Sequence, residues 1–178
     1  MKDRVMTMLA VAVLAAACTS ETENTYTSQS EQIEKYVTSR LSADPDMRVE
    51  YNGSVLRLVE SEGSGTQLEE KGTATILYAG YNFNTSTISK ATLFATNDSD
   101  VAAECGWTVS DETIFGEVDV DLGDDSYVKG LRMGLVGARE GETCLILFSG
   151  KYGLGKQVGT IPANAALAYR VKVQKVTN

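Results

Sequence analysis

The pattern of apolar and polar positions divides the chain into three parts. Residues 5–14 form a largely apolar run near the N-terminus. In residues 30–41, apolar side chains recur at three- and four-residue spacing, which predicts a short amphipathic helix with Ser30 as its N-cap. After Pro45 the apolar period becomes two, which is typical of strands. The apolar positions of the predicted helix are Ile33, Tyr36, Val37 and Leu41.

Five segments after Pro45 are predicted as strands. In residues 118–122, valine and leucine alternate with aspartate, which predicts one buried and one solvated face. Residues 143–148 are apolar at nearly every position, and the last segment alternates again. The remaining predicted strands are residues 54–60, 73–78 and 167–173.

One short helix, over residues 129–136, fits among the strands and ends at Gly137. The pattern therefore predicts an α+β fold in which about five antiparallel strands wrap around one short helix. With 178 residues, the chain has room for one such domain and an N-terminal extension. We divide it into residues 1–17, 18–52 and 53–178, of which the last is the folded domain.

The N-terminal residues have the features of a secretory signal. Lys2 and Arg4 precede the apolar run, which is shorter than the about 20 residues that span a bilayer. Three alanines precede Cys18, and they resemble a bacterial lipobox, which predicts cleavage before Cys18 and its acylation at the cell envelope. A soluble secreted protein is the alternative. Residues 19–28 are too polar to bury much apolar surface, so we expect a flexible tether before the short helix.

Charge and composition exclude several functions. The formal net charge is −8, which argues against binding to nucleic acid. The chain has no histidine, so a histidine base, a Ser-His-Asp triad and imidazole metal sites are excluded. Cys105 and Cys144 are the cysteines outside the leader, and their spacing fits no zinc motif. We expect Cys144 to be a buried, reduced thiol, and a disulfide with Cys105 is the alternative.

Two segments resemble ligand-binding motifs superficially. Residues 150–156 match a phosphate-binding loop, but Gln157 stands where Ser or Thr would bind magnesium, and Pro162 interrupts any following helix. The acidic residues 119–125 lack the bidentate glutamate of a calcium loop, so a solvated acidic face is expected there. We therefore predict no nucleotide, no metal and no cofactor.

Four motifs carry a resemblance to a known family. Residues 127–135 read Tyr-Val-Lys-Gly-Leu-Arg-Met-Gly-Leu, and residues 151–155 read Lys-Tyr-Gly-Leu-Gly. Residues 160–169 begin Thr-Ile-Pro-Ala-Asn-Ala and form the most specific of the four, while residues 71–80 end in Tyr-Ala-Gly. Together they resemble the FKBP-type peptidyl-prolyl cis-trans isomerases, and the resemblance covers residues 54–176.

The resemblance implies a five-stranded antiparallel sheet around a short helix, with an apolar pocket that accepts a prolyl ring. An X-Pro bond isomerises through a twisted amide, whose barrier of about 18–20 kcal/mol falls when water is excluded, so no nucleophile is needed. The implied partners are X-Pro-containing or unfolded polypeptides, with the membrane contacted through the lipid on Cys18. By position, the pocket residues are Tyr78, Phe94, Val118, Tyr127, Val128, Leu131, Leu154, Ile161 and Tyr169.

Three of the matched positions depart from the family pattern. Leu131 replaces the tryptophan of the pocket floor, and Leu154 replaces a tyrosine whose hydroxyl bonds the substrate carbonyl. Ala95 replaces an aspartate next to Phe94. Apolar volume is kept while hydrogen bonding is lost, which predicts reduced turnover.

Two functions therefore remain open at this point. One is an isomerase that acts as a folding factor of the cell envelope, and the alternative is a non-catalytic chaperone or peptide-binding lipoprotein with the same fold. We expect Trp107, in a longer segment after Phe94, to be packed for its area. A flap that brings Trp107 to the pocket is the alternative.

Overall fold

The computed structural model describes residues 2–107 and 114–178, and for residues 2–20 it describes the backbone alone. Within these residues, seven strands form one sheet in which every paired strand is antiparallel to its neighbour. The strands are β1 (Arg48–Asn52), β2 (Val55–Ser61), β3 (Thr73–Asn82), β4 (Leu93–Thr96), β5 (Val118–Asp121), β6 (Thr143–Phe148) and β7 (Leu167–Thr177). The α-helices are α1 (Lys2–Ala43), α2 (Ser99–Glu104) and α3 (Lys129–Leu135).

The strand order is β1-β2-β6-β7-β3-β4, and β5 also pairs with β3. β3 and β7 pair over their whole length, from Thr73 opposite Thr177 to Asn82 opposite Leu167. On the other side of β3, β5 takes the first half of the strand and β4 takes the second half. β5 and β4 therefore lie one after the other along the same edge of β3, and β7 pairs with its opposite edge.

All five predicted strands and the predicted helix at residues 129–136 are confirmed, with α3 ending one residue earlier. The sheet has more strands than the about five expected, because β1 and β4 were not predicted. β4 spans four residues, and only Leu93 and Phe94 in it are large and apolar, so it is too short to show a period. The predicted domain boundary at residue 53 falls between the paired strands β1 and β2.

One face of the sheet, the front face, is covered by α3. Leu131 and Leu135 of α3 are buried in one apolar cluster with Ile76, Ile146 and Phe148 of the sheet, and we call this cluster the front core. Two glycines let α3 lie this close. A Cβ at Gly130 would stand 2.3 Å from Phe148 Cγ, and a Cβ at Gly134 would stand 2.2 Å from Ile146 Cγ2. Only glycine fits at either position without displacing these side chains of β6.

The opposite face, the back face, is covered by the C-terminal part of α1. Ile33 and Val37 are each 1% exposed, and they pack with Leu145, Leu147 and other residues in a second cluster, the back core. β6 contributes to both cores, since Cys144, Ile146 and Phe148 point to the front and the leucines between them point to the back. This explains why residues 143–148 show no alternation in sequence.

The prediction of a flexible tether over residues 19–28 is wrong where the structure describes side chains. Residues 21–28 continue α1 as helix. The Tyr26 hydroxyl lies 3.0 Å from Asn164 Oδ1, and Lys151 lies 3.7 Å from Glu23. A polar composition is typical of disorder, but here polar side chains of α1 make specific contacts with the domain. Within the described residues, no helix is long and apolar enough to span a bilayer.

A buried ion pair lies on the front side between β2 and the start of β6. Arg57 Nη1 donates to Glu142 Oε1 at 2.8 Å, and the two side chains are 3% and 0% exposed. Glu142 Oε2 also accepts from the Arg139 N–H at 3.3 Å. The pair therefore joins two strands and a turn in a place that water does not reach.

Loss of the Glu142 carboxylate should destabilise the fold, because it leaves the Arg57 guanidinium buried without a counter-charge. We expect Glu142→Ala to lower the free energy of unfolding by about 3–5 kcal/mol, measured by denaturant titration. Glu23→Ala, which breaks the exposed contact with Lys151, is the control and should change stability by less than about 1 kcal/mol. An effect of Glu142→Ala as small as that of the control would contradict this account.

Candidate functional site

The nine predicted pocket residues all lie together at the front core. Leu131, Ile161 and Tyr169 are members of its buried set, with 4%, 4% and 5% of their surface exposed. The other six are partly exposed and pack against that set. The site therefore has a buried floor and a half-exposed apolar rim. The rim residues are Tyr78 on β3, Phe94 on β4, Val118 on β5, Tyr127 and Val128 before α3, and Leu154 in the loop before β7.

The floor is built around the ring of Tyr169. The Phe148 ring lies nearly parallel to it, with centroids 6.0 Å apart and an interplanar angle of 13°. Phe94 meets it edge-on at 5.9 Å, and Tyr78 lies at 5.9 Å with a 49° tilt. These contacts fix the orientation of the Tyr169 ring. Sequence reasoning missed Phe148, which in a continuous apolar strand looks like any other core residue.

Two tyrosine hydroxyls of the site are free to bond a ligand. Neither Tyr78 nor Tyr169 has a hydroxyl hydrogen bond to any residue that the structure describes, whereas the Tyr127 hydroxyl donates to the Asp119 carbonyl at 2.7 Å. Burial and then the neighbouring Tyr78 raise the pKa of Tyr169 well above its usual value. Burial and then Tyr127 raise the pKa of Tyr78. Both hydroxyls therefore stay protonated and can donate at neutral pH.

Asn97 ties β4 to β3 below the rim residue Tyr78. It is 3% exposed, and its side chain accepts from the Tyr78 N–H at 2.6 Å and donates to the Ile76 carbonyl at 3.0 Å. It also donates to the Gly116 carbonyl at 2.8 Å, so it holds the far end of the segment that precedes β5. Asn97 was not predicted, because an isolated asparagine in a polar stretch gives no signal of a buried network.

The carboxylate nearest in sequence to Ala95 does not serve the site. Asp98 is 5% exposed, accepts from Lys172 Nζ at 2.7 Å and caps α2 through the Asp100 N–H at 3.0 Å. Burial raises the pKa of the Asp98 carboxyl, but the hydrogen bond from Lys172 and its charge lower that pKa by more. The pKa of Asp98 therefore lies below its usual value. Its oxygens are thus committed to Lys172 and to α2.

The loop that carries Leu154 and Ile161 is held by α1. Gln29 is 8% exposed, donates to the Asn164 carbonyl at 2.9 Å and accepts from the Gly150 N–H at 2.8 Å. Within the loop, the Asn164 N–H donates to the Leu154 carbonyl at 2.9 Å. Gln29 is thus a support of the site that the sequence analysis missed. The sequence does indicate that Gln29 lies on the buried face of the helix, since it continues the four-residue spacing of Ile33, Val37 and Leu41.

The sequence profile of the FKBP-type peptidyl-prolyl cis-trans isomerases matches residues 65–174, which is more than half of the chain. The chain belongs to this family. No curated protein sequence matches it. The FKBP-type domain resembles several solved structures, all of low identity, which show that the predicted FKBP-like fold is correct.

Three of these structures illustrate the range of the likeness. The N-terminal domain of FKBP42 from Arabidopsis thaliana is 17% identical, with a TM-score of 0.56, 75% of this chain covered and 94% of that chain covered. FkpA from Escherichia coli is 17% identical, with a TM-score of 0.54 and coverages of 97% and 70%. A peptidyl-prolyl cis-trans isomerase from Pseudomonas syringae is 14% identical, with a TM-score of 0.57 and coverages of 88% and 96%.

The residues proposed as alternatives to the FKBP-type site lie elsewhere. Trp107 and Cys105 pack against the back core, so Trp107 is packed for its area and does not line the pocket. The rest of the suggested flap, residues 108–113, lies outside the described residues. Cys144 is buried in the front core, on the other side of the sheet from Cys105, and both are free thiols as expected. Among the described residues, no cluster of three or more acidic or cysteine side chains could hold a metal.

The acidic residues before α3 are used within their own turns. Asp121 accepts from the Gly123 N–H at 2.7 Å, and Asp124 accepts from the Ser126 N–H at 2.8 Å and from its hydroxyl at 2.7 Å. The Asp119 carboxylate accepts from the Thr75 hydroxyl at 2.7 Å. These bonds shape the entry to α3, where Tyr127 and Val128 join the rim.

Removal of the Gln29 side chain should loosen the loop of the FKBP-type domain that carries Leu154 and Ile161. Gln29→Ala leaves the buried Gly150 N–H without its acceptor, so we expect a stability loss of about 1–3 kcal/mol. Hydrogen exchange should accelerate in residues 149–166 more than elsewhere. Thr27→Ala, on an exposed position of the same helix, is the control and should leave the exchange unchanged. Equal exchange at residues 149–166 in Gln29→Ala and the wild type would show that α1 does not hold the loop.

Proposed function

We propose that this FKBP-type domain binds X-Pro segments of polypeptides and accelerates their isomerisation, at a rate below that of a site with the full family pattern. One observation carries the proposal: Leu131, Ile161 and Tyr169 form a buried apolar floor, and the half-exposed apolar residues of the rim pack against the same core. A prolyl ring that enters such a site leaves water, and its amide then loses the solvation that favours the planar form. No residue has to act as a nucleophile or base.

The reduced rate follows from the three departures. Leu131 offers apolar area but no flat aromatic surface, and Leu154 offers no hydroxyl. Ala95 places no carboxylate on β4, and Asp98 is committed to Lys172. These changes affect the positioning of the twisted amide more than the burial of the ring. The same departures support the second candidate, a non-catalytic peptide-binding module.

An isomerisation assay without protease distinguishes the two candidates. We expect the wild-type domain to accelerate cis-to-trans conversion of a proline-containing peptide, and Leu131→Trp or Leu154→Tyr to raise that rate by about 2- to 10-fold. Tyr51→Trp, which adds an indole at a residue that is 55% exposed on β1, is the control. If wild type and both restored variants bind the peptide without accelerating its conversion, the binding-module candidate is correct and the enzyme is not.

We propose further that Cys18 is acylated after removal of residues 1–17, which attaches the domain to the cell envelope of a bacterium. The support is the sequence itself, with two basic residues, an apolar run and three alanines before Cys18. Glu23 and Tyr26 contact Lys151 and Asn164, so few residues separate the lipid from the docked part of α1. As helix, residues 19–22 would span only about 6 Å, so the domain would work close to the membrane surface.

Acylation can be tested on the full chain in a bacterium that processes lipoproteins. With an alkyne-labelled fatty acid, we expect the wild type to be labelled and to sediment with membranes. Cys18→Ser should lose both the label and the sedimentation, because the thiol is the acceptor. Cys105→Ser is the matched control and should keep them, and a labelled Cys18→Ser variant would refute the anchor.

A further inference from the structure

The Tyr169 hydroxyl is the polar atom of a residue that belongs to the buried front core. It has no hydrogen-bond partner among the residues that the structure describes. Among the buried side-chain nitrogens and oxygens of the described residues, Arg57 Nε is the only one that solvent does not reach and that has no hydrogen-bond partner. The Tyr169 hydroxyl is therefore reached by solvent, although only 5% of the residue is exposed. The small exposed surface of Tyr169 therefore includes its hydroxyl group.

The position of this hydroxyl is fixed by the rings around it. Phe94, Phe148 and Tyr78 contact the Tyr169 ring on three sides at centroid distances of 5.9–6.0 Å. Gly80 on β3 leaves room for it, since a Cβ there would stand 3.1 Å from Tyr169 Cε1 and 3.0 Å from Phe94 Cζ. A donor on a ring that cannot turn loses little entropy when it binds.

A ligand that fills the site removes this hydroxyl from solvent. A buried hydroxyl without a partner costs about 1–3 kcal/mol, so an occupant that offers only apolar atoms would be penalised. An extended peptide offers backbone carbonyls on either side of a proline. The carbonyl of the rotating bond is unsuitable, because a donor on that oxygen strengthens the amide resonance that must be broken. A neighbouring backbone carbonyl satisfies the hydroxyl without this effect.

We propose that the Tyr169 hydroxyl donates a hydrogen bond to a backbone carbonyl next to the X-Pro bond of the bound chain, and so supplies the contact that Leu154 has lost. The inference rests on the proposed function, because it requires a prolyl ring in the site. It makes Tyr169 a substrate-contacting residue that selects extended, proline-containing segments. Tyr78, whose hydroxyl is also unpaired within the described residues, lies beside it as a second donor.

The test compares stability and binding in Tyr169→Phe, which keeps the ring and removes the hydroxyl. The probe is a labelled hexapeptide, Ala-Ala-Leu-Pro-Phe-Ala, with Ala-Ala-Leu-Ala-Phe-Ala as its proline-free counterpart. We expect Tyr169→Phe to bind the proline peptide about 2- to 10-fold more weakly, which is the range for one neutral hydrogen bond. Thermal stability should be unchanged or higher, since the hydroxyl has no partner inside the protein.

Two further variants separate this role from a general effect. Tyr81→Phe removes a hydroxyl from the same strand as Tyr78 but on the back face, and it should bind like the wild type. Leu154→Tyr added to Tyr169→Phe should recover part of the affinity, because it returns a hydroxyl to the rim. If the wild type prefers the proline peptide and Tyr169→Phe binds it equally well, the inference is wrong and the proposed function stands. If the wild type shows no preference for proline, both fail.

Discussion

The structure depends on the burial of both faces of one antiparallel sheet. β6 and β7 lie inside the sheet, and β6 places Cys144, Ile146 and Phe148 against α3 and two leucines against α1. An antiparallel sheet of this size commonly leaves one face to water. Here the back face is too apolar for that, so a second covering element is required. Docking of α1 satisfies this requirement through Ile33 and Val37, each of which is almost completely buried.

This constraint connects the N-terminal helix to the site on the other face. Ile33 and Val37 of α1 lie over the back of β6. One turn earlier in the same helix, Gln29 bonds both Gly150 and Asn164 in the loop that follows β6. The same loop carries two of the predicted pocket residues, Leu154 and Ile161. A helix that was expected to be separate from the domain therefore supports one wall of the site. The front face has its own close contact, since Gly130 and Gly134 let α3 lie directly on β6.

The sequence predicted what depends on periodicity and on contiguous motifs. Five strands, α3 and the apolar face of α1 follow from spacing, and the nine residues named by the family resemblance lie together at the front core, although their role in binding stays a prediction. It did not predict interactions between distant polar groups. Gln29 and Asn164 are 135 positions apart, and Arg57 and Glu142 are 85 apart. Composition alone made the segment around Tyr26 look disordered, because the partners that order its polar side chains lie at the far end of the chain.

The chemistry of the site follows from what its apolar floor requires of an occupant. By the family resemblance, Leu131, Leu154 and Ala95 stand where the family pattern has a flat aromatic surface, a rim hydroxyl and a carboxylate, yet the floor is not purely apolar. Phe148 and Tyr169 supply a stacked aromatic pair from two adjacent strands, β6 and β7. Aromatic area has thus not disappeared from the site, since the sheet supplies it where α3 has only leucine. Because strands hold side chains more rigidly than loops do, the proposed donor at Tyr169 is better placed than a hydroxyl on the loop of Leu154 would be. For the function proposed above, a site of this kind favours firm binding of an extended chain over fast turnover, since tight contacts to the ground state do not lower the barrier to rotation.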